Sequence, residues 1–291
     1  MKKILLVGQN GYIGSAFERY MSTFSEYSVS SVSSLNYEWQ KCDFSDYDAV
    51  YNVSGLAHAN ARQASEKEYY NVNGVLPVKI AEKAKKEAVP LFVHMSSMII
   101  YGDMSELGKA KIIDETTVPD AEGVYGKSKI MSEKGLMKLA DSKFKVALIR
   151  PPLIYGEDAQ DNFRRLVKFA VSSPVFPDIK NKQSMLYIDN LCELVRLIID
   201  ESCGGIFYPQ QEKYIVTSQL VRDIAGKAGH SIFITKVFNP ILKLLSNKMA
   251  FVRKAFGNLT YDMSISNHFE GKYRIVNYED SVKRIAERMK I

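Results

Sequence analysis

The first fourteen residues constrain this chain more than any other stretch. Lys2-Lys3-Ile4-Leu5-Leu6-Val7 runs directly into Gly8-Gln9-Asn10-Gly11-Tyr12-Ile13-Gly14, and an amphipathic segment through Met21 follows. A short run rich in Ile, Leu and Val reads as a buried parallel strand. The glycines then have separate tasks. Gly8 permits a sharp turn from strand to helix, Gly11 lets backbone approach a pyrophosphate, and Gly14 lets helix pack closely on strand. The helix start offers free N–H groups and the positive end of its dipole to phosphates. Gly8, Gly11, Tyr12, Ile13 and Gly14 are therefore expected to hold a dinucleotide. Three glycines alone would be a weak signal; their place between an N-terminal strand and a helix makes it a stronger one.

The next segments continue the alternation of strand and helix. Tyr27–Val32 reads as a second strand, and its end, Ser30-Ser31-Val32-Ser33-Ser34, lacks the acid that would grip a ribose 2′-hydroxyl. No arginine for a 2′-phosphate stands nearby either, so NAD and NADP both remain open. A short third strand is expected before Cys42-Asp43-Phe44-Ser45. Asp43 can accept from an adenine amino group with Phe44 against the ring, or it can be a simple turn aspartate. Residues 48–57 read as a fourth strand ending in small residues, where Ser54 and Gly55 leave room for a cofactor. Tyr69–Lys86 reads as a long helix, and Asn71 at its start is expected to pack on the sheet as a bridge to cofactor or as a cap.

Leu91–Met95 is a further strand, with Ser96 and Ser97 at its carboxyl end. Val124–Ala140 reads as a helix that carries Tyr125 and Lys129 four residues apart. That spacing is about one helical turn, so both side chains project from one face. A phenol beside an ammonium can serve as general acid and base for an alcohol–ketone couple. Lys145–Ile149 is the next strand and leads into Arg150-Pro151-Pro152. Further on, helices are expected over 161–171, 189–200, 217–228 (capped by Thr217 or Ser218), 239–256 and 278–289, with a loop over 172–177 and a short strand near 204–209. The fold class is α/β: a doubly wound parallel sheet over 1–155, with a smaller C-terminal region over 156–291 that returns some segments to the sheet.

Bulk properties exclude several classes. The 291 residues are 46% hydrophobic and 25% charged, ordinary for a globular chain, and no apolar run is long enough to cross a bilayer. The opening run is too short for a signal peptide. Cys42, Cys192 and Cys203 are odd in number and widely spaced, which argues for a reducing cytoplasm and against a metal or disulfide framework. The net charge of +6 is spread among glutamates, as over 79–87, so a nucleic-acid partner is not expected. His58 and His94, near strand ends, are expected to be packed or solvated, without a metal.

Together these motifs resemble an extended short-chain dehydrogenase/reductase of the sugar-nucleotide epimerase/dehydratase type. Gly8-x-x-Gly11-x-x-Gly14, Ser96-Ser97 through Tyr101-Gly102, Tyr125-x-x-x-Lys129 and Arg150-Pro-Pro-x-x-Tyr-Gly156 match in order and spacing. The resemblance implies that Tyr125 transfers the proton. Lys129 would bind the nicotinamide ribose and lower the Tyr125 pKa, and Ser97 would hold the substrate oxygen. It places Asp43 and Phe44 against adenine and adds Ser54, Gly55, Asn71 and Pro152 to the cofactor contacts. It also implies a nucleotide-sugar substrate, contacted by Ser97, Asn162, Gln183 and Arg253, and is compatible with a homodimer.

Two departures bear on chemistry. Dehydratases of this kind place Asp-Glu after the catalytic Ser/Thr, whereas Met98 and Ile99 cannot move protons. Gln183 stands where many relatives have arginine. Residues 256–262 resemble a tract of bacterial 4-ketoreductases. The implied reactions are therefore C4 reduction or C4 epimerisation of a UDP-hexose in surface-polysaccharide precursor synthesis. A non-catalytic dinucleotide sensor on the same fold is the alternative, although it would not need Ser97, Tyr125 and Lys129.

Overall fold

In the computed structural model, the apolar runs become the strands of one six-stranded parallel sheet. In spatial order these are Gly205–Phe207, Lys145–Ile149, Leu91–Met95, Ala49–Asn52, Lys2–Val7 and Tyr27–Val32. The structure describes residues 1–35, 37–56, 64–102, 109–246 and 250–289. Alternate residues of each central strand serve opposite cores, as the two-residue period requires. Ile4, Leu6, Tyr51, Val93 and Ile149 meet Phe17 and Met21 of the Tyr12–Met21 helix and Leu194 and Ile198 of the Ile188–Asp200 helix. Leu5, Val7, Val50, Phe92 and Leu148 meet Ile80 and Ala84 of the Leu76–Lys86 helix and Leu136 of the Val124–Leu139 helix. Burial on both faces explains why these strands read as unbroken apolar runs. Among the described residues, no helix is long and apolar enough to cross a membrane.

The chain steps outward from Lys2–Val7 to Tyr27–Val32 and then crosses back to Ala49–Asn52. This reversal makes a switch point, where the carboxyl ends of neighbouring strands open a crevice. Gly8 and Ser54 face each other across it. Gly8 has φ of +119°, and a Cβ there would lie 2.8 Å from the Ser54 nitrogen, so only glycine fits.

Several elements differ from the sequence expectations. The strand expected before Cys42 is a single helical turn, Glu38–Lys41, which drives Trp39 into the core beside Phe44. The next strand ends at Asn52, and the rest of the segment to 56 is irregular; Ala57 and His58 lie outside the described residues. Residues 175–177 form a strand paired with Phe233–Thr235, where a loop was expected. The Thr217–Ala228 helix is capped by Val216, because Thr217 gives its hydroxyl to the Ala255 carbonyl at 2.6 Å. Of the expected 239–256 helix, Asn239–Ser246 and Ala250–Phe256 are helical, and 247–249 lie outside the described residues.

Candidate active site

The glycine turn forms an open cradle. Gly11 is the N-cap of the Tyr12–Met21 helix, with no side chain capping its amides and no acid in its first turn. A Cβ at Gly11 would meet nothing within 4 Å, whereas one at Gly14 would lie 3.0 Å from the Gly8 carbonyl oxygen. Uncapped amides beside open space suit an anionic pyrophosphate. The backbone of Gly8, Gly11, Tyr12, Ile13 and Gly14 thus fits a dinucleotide, and Gly55 borders the same crevice. A Cβ on Gly55 would lie 3.1 Å from Asn73 Oδ1 and 3.5 Å from Lys129 Nζ.

Ser97, Tyr125 and Lys129 come together at the next strand end. The Leu91–Met95 strand stops at Ser96, and Ser97 caps a single 3-10 turn, Met98–Tyr101. Its Oγ accepts the Ile99 N–H at 3.3 Å and hydrogen-bonds the Tyr125 phenol. With Ile99 as donor to Ser97, the Ser97 proton is free to go to the phenol oxygen, a bond that stabilises phenolate. Burial still outweighs it, and the Tyr125 phenol is pushed up to about 12. Burial, and not Lys129, controls the Tyr125 phenol. Lys129 is 4% exposed and donates from Nζ to the Met95 carbonyl at 2.7 Å. A cleft of about 230 Å³ opens beside Tyr125, lined also by Tyr69, Ile99, Gly102 and Gly123. Gly126 allows this approach, since a Cβ there would lie 2.4 Å from the Ala121 Cβ and 3.0 Å from the Ile99 carbonyl.

Burial also pushes the Lys129 ammonium down to about 8, with Glu133 opposing. Its charge is present below that value and lost as pH rises through it. An unfolded lysine keeps its proton to about pH 10.4. Between these values the unfolded chain binds more protons, so this group makes ligand-free stability rise with pH. Dinucleotide affinity should move the other way, falling above about pH 8 as the cation is lost, and Lys129→Met should flatten that limb. Titration of NAD across this range checks it; wild-type affinity that stays constant to about pH 10 would contradict the assignment.

A buried support lies behind the trio. Glu133 is one further turn along the face that carries Tyr125 and Lys129, and it clamps Arg150 in a two-armed ion pair of 2.6 and 3.1 Å. Arg150 Nη1 also reaches the Tyr101 hydroxyl at 2.5 Å, and the Arg150 carbonyl accepts from Tyr261. The guanidinium therefore joins the Tyr125 helix to the Ser97 turn. A second link runs through His94. Asn52 Oδ1 accepts from Ser54, so Asn52 Nδ2 donates to His94 Nδ1 at 3.2 Å. His94 then carries its proton on Nε2, 3.4 Å from a Ser132 hydroxyl that itself donates to the Lys129 carbonyl. Burial holds His94 neutral, as a packed residue and not a catalytic one. Sequence reasoning missed Glu133, although a period of four from Tyr125 and Lys129 marks it.

Other expected contacts are redistributed. Phe44 is fully buried in the core, with Lys83 4.9 Å above its ring, so no face remains for adenine. Asp43 is exposed and accepts from the Ser45 backbone, an arrangement that fits the turn-aspartate reading. It lines a separate cleft of about 260 Å³ with Lys3 and Ser30, which does not include Ser97, Tyr125 or Lys129. Asn71 is exposed; Asn73 does the packing, with its amide bonded to both the N–H and the carbonyl of Leu56. The Ser54 hydroxyl is committed to Asn52 at 2.6 Å. Gln183 is fully buried and donates to the Gly257 carbonyl, which braces it against the Asn258–Tyr261 strand. Pro152 is buried beyond Arg150, while Asn162 and Arg253 are half-buried on the Asp161–Ser172 and Ala250–Phe256 helices.

A family model described as NAD dependent epimerase/dehydratase family matches residues 4–207, more than half of the chain. The chain belongs to this family. The match takes in the glycine turn, Ser97 after the Leu91–Met95 strand, the helix that carries Tyr125 and Lys129, and the edge strand Gly205–Phe207. Among curated proteins, a UDP-glucose 4-epimerase of Vibrio cholerae is 29% identical over 248 residues, covering 77% of this chain and 75% of that protein. Among solved structures, UDP-glucuronic acid 4-epimerase from Bacillus cereus in complex with NAD has a TM-score of 0.75 at 16% identity, covering 99% of this chain and 96% of that one. A human epimerase family protein with NADPH gives 0.76 at 13% identity, covering 98% and 99%. At such identities the structural likeness establishes a shared fold.

Proposed function

We propose that this epimerase-family chain interconverts UDP-hexoses at C4, using NAD or NADP without net consumption. The observation that carries this reading is the hydrogen-bonded Ser97–Tyr125 pair, with Lys129 one turn away, beside an open cleft. Support comes from the 4-epimerase named among the relatives. A bound nicotinamide would supply reversible hydride transfer at the sugar carbon. The chain supplies the proton chemistry. Ser97 holds the C4 oxygen, and Tyr125 exchanges a proton with it. A phenol near 12 is a donor at neutral pH, suited to protonating a C4 alkoxide; cationic charge beside it favours the reverse step. The apolar Met98 and Ile99 keep a second acid/base pair out of the cleft, so elimination of water is not part of this chemistry.

The other reading is a 4-ketoreductase, which would use the same side chains. Incubation with UDP-glucose or UDP-N-acetylglucosamine separates the two. The proposal predicts conversion to the C4 epimer with unchanged NADH absorbance. Stoichiometric consumption of NAD(P)H with a UDP-4-keto sugar, and no epimer formed, would overturn it. A role in surface-polysaccharide precursor supply, a cytoplasmic setting and a homodimer complete the proposal.

A further inference from the structure

The C-terminal region carries an exposed apolar surface whose residues do not line the Tyr125 cleft. Among the described residues, five large apolar side chains within twelve positions are exposed: Phe233 at 68%, Val237 at 75%, Phe238 at 38%, Ile241 at 58% and Leu244 at 71%. They form one surface. Phe233 is in register with Val175, also exposed, on a two-stranded pair. The Asn239–Ser246 helix is tied to that pair by Asn239, whose amide donates to the Asp178 carbonyl at 2.8 Å. Leu242 packs toward the core, whereas Ile241 and Leu244, three residues apart, share the outward face.

Charge narrows the identity of the partner. From Ile224 to Tyr261 the sequence carries Lys227, Lys236, Lys243, Lys248, Arg253 and Lys254 and no Asp or Glu. Asp178 adjoins the patch through its carbonyl, which accepts from Asn239. A two-fold dimer through this face would bring Lys236 and Lys243, which flank the apolar side chains in sequence, against the same residues of the partner, and like charges repel. Exposed Phe, Ile and Leu do not suit nucleic acid, whose surface is phosphate. An anionic bilayer surface offers both what the side chains need: an apolar layer under a sheet of negative charge.

We propose that this face docks on anionic lipid. Val237, Phe238, Ile241 and Leu244 enter the headgroup boundary, roughly 5–10 Å deep, while Lys236 and Lys243 meet lipid phosphates. The docking is peripheral, and it is independent of the proposed epimerase chemistry.

Flotation of the full chain with vesicles tests this. Wild-type protein should float with vesicles containing phosphatidylglycerol and much less with phosphatidylcholine alone, and added salt should release it. The double variant Ile241→Asp with Leu244→Asp should lose at least about tenfold in vesicle affinity while keeping the wild-type melting temperature and turnover. Lys236→Glu with Lys243→Glu, which keeps the apolar contacts, should also lose binding. No flotation with anionic vesicles at low salt would overturn the proposal. So would binding that both double variants retain. A dimer in sedimentation that Ile241→Asp splits, without vesicle binding, would assign the face to a second copy and overturn it equally.

Discussion

Tyr125→Phe should reduce turnover between about a hundredfold and ten-thousandfold, the usual range for loss of a positioned acid/base. Dinucleotide affinity should change little. The ring remains, so its edge contact with Tyr69 at 6.3 Å and the close approach of Gly126 are preserved. Lys129 also keeps its bond to the Met95 carbonyl. Only the hydroxyl is lost, together with its bond from Ser97. Single-turnover kinetics beside a NAD titration measure both quantities. Unchanged turnover would remove Tyr125 from the proton path, and a matching loss of NAD affinity would show a structural lesion instead.

The second large effect is on stability. Glu133→Gln leaves the Arg150 guanidinium buried with half of its ion pair neutralised; the two side chains are only 7% and 8% exposed. Breaking one partner of such a pair costs about 3–5 kcal/mol. The amide can replace one of the two bonds, so the lower end of that range is expected, and Glu133→Ala should reach the upper end. Replacing both residues by methionine should recover much of the loss, because the desolvation cost of the charges disappears with them. Urea unfolding of the four proteins checks this. The double replacement should still lower activity, since Arg150 holds Tyr101 in the turn that begins at Ser97. A double variant as unstable as the single ones would mean that the methionines fail to fill the site. Full activity in it would mean that the guanidinium does not position Ser97.

What was legible in the sequence follows physical lines. The bounds of Lys2–Val7, Leu91–Met95 and Lys145–Ile149 agree with the structure, because buried parallel strands interrupted by turns leave little freedom, and those of the half-buried edge strand Tyr27–Val32 agree as well. Tyr125 and Lys129 lie four residues apart on the helix expected for them, because helical periodicity is a local property of the sequence. Asn73 was missed in favour of Asn71 because Tyr70–Val75 is a π-helical stretch, which shifts the inward face away from the 3.6-residue period. The full burial of Phe44 and Gln183 was not legible for another reason. Their burial is decided by Trp39 and by Gly257, partners distant in sequence or brought in by an unexpected turn. The Glu133–Arg150 clamp likewise joins a helix to a strand end, a pairing that local spacing does not reveal.

The central claim is that hydrogen leaves and returns to the same C4 without passing through water, while Tyr125 handles only the oxygen-bound proton. UDP-glucose carrying deuterium at C4 tests it directly. Incubated with the enzyme in ordinary water, it should give UDP-galactose that retains the deuterium at C4, with no net change in NADH absorbance. Deuterium lost to solvent at C4 would place the exchanged proton on carbon and contradict the account.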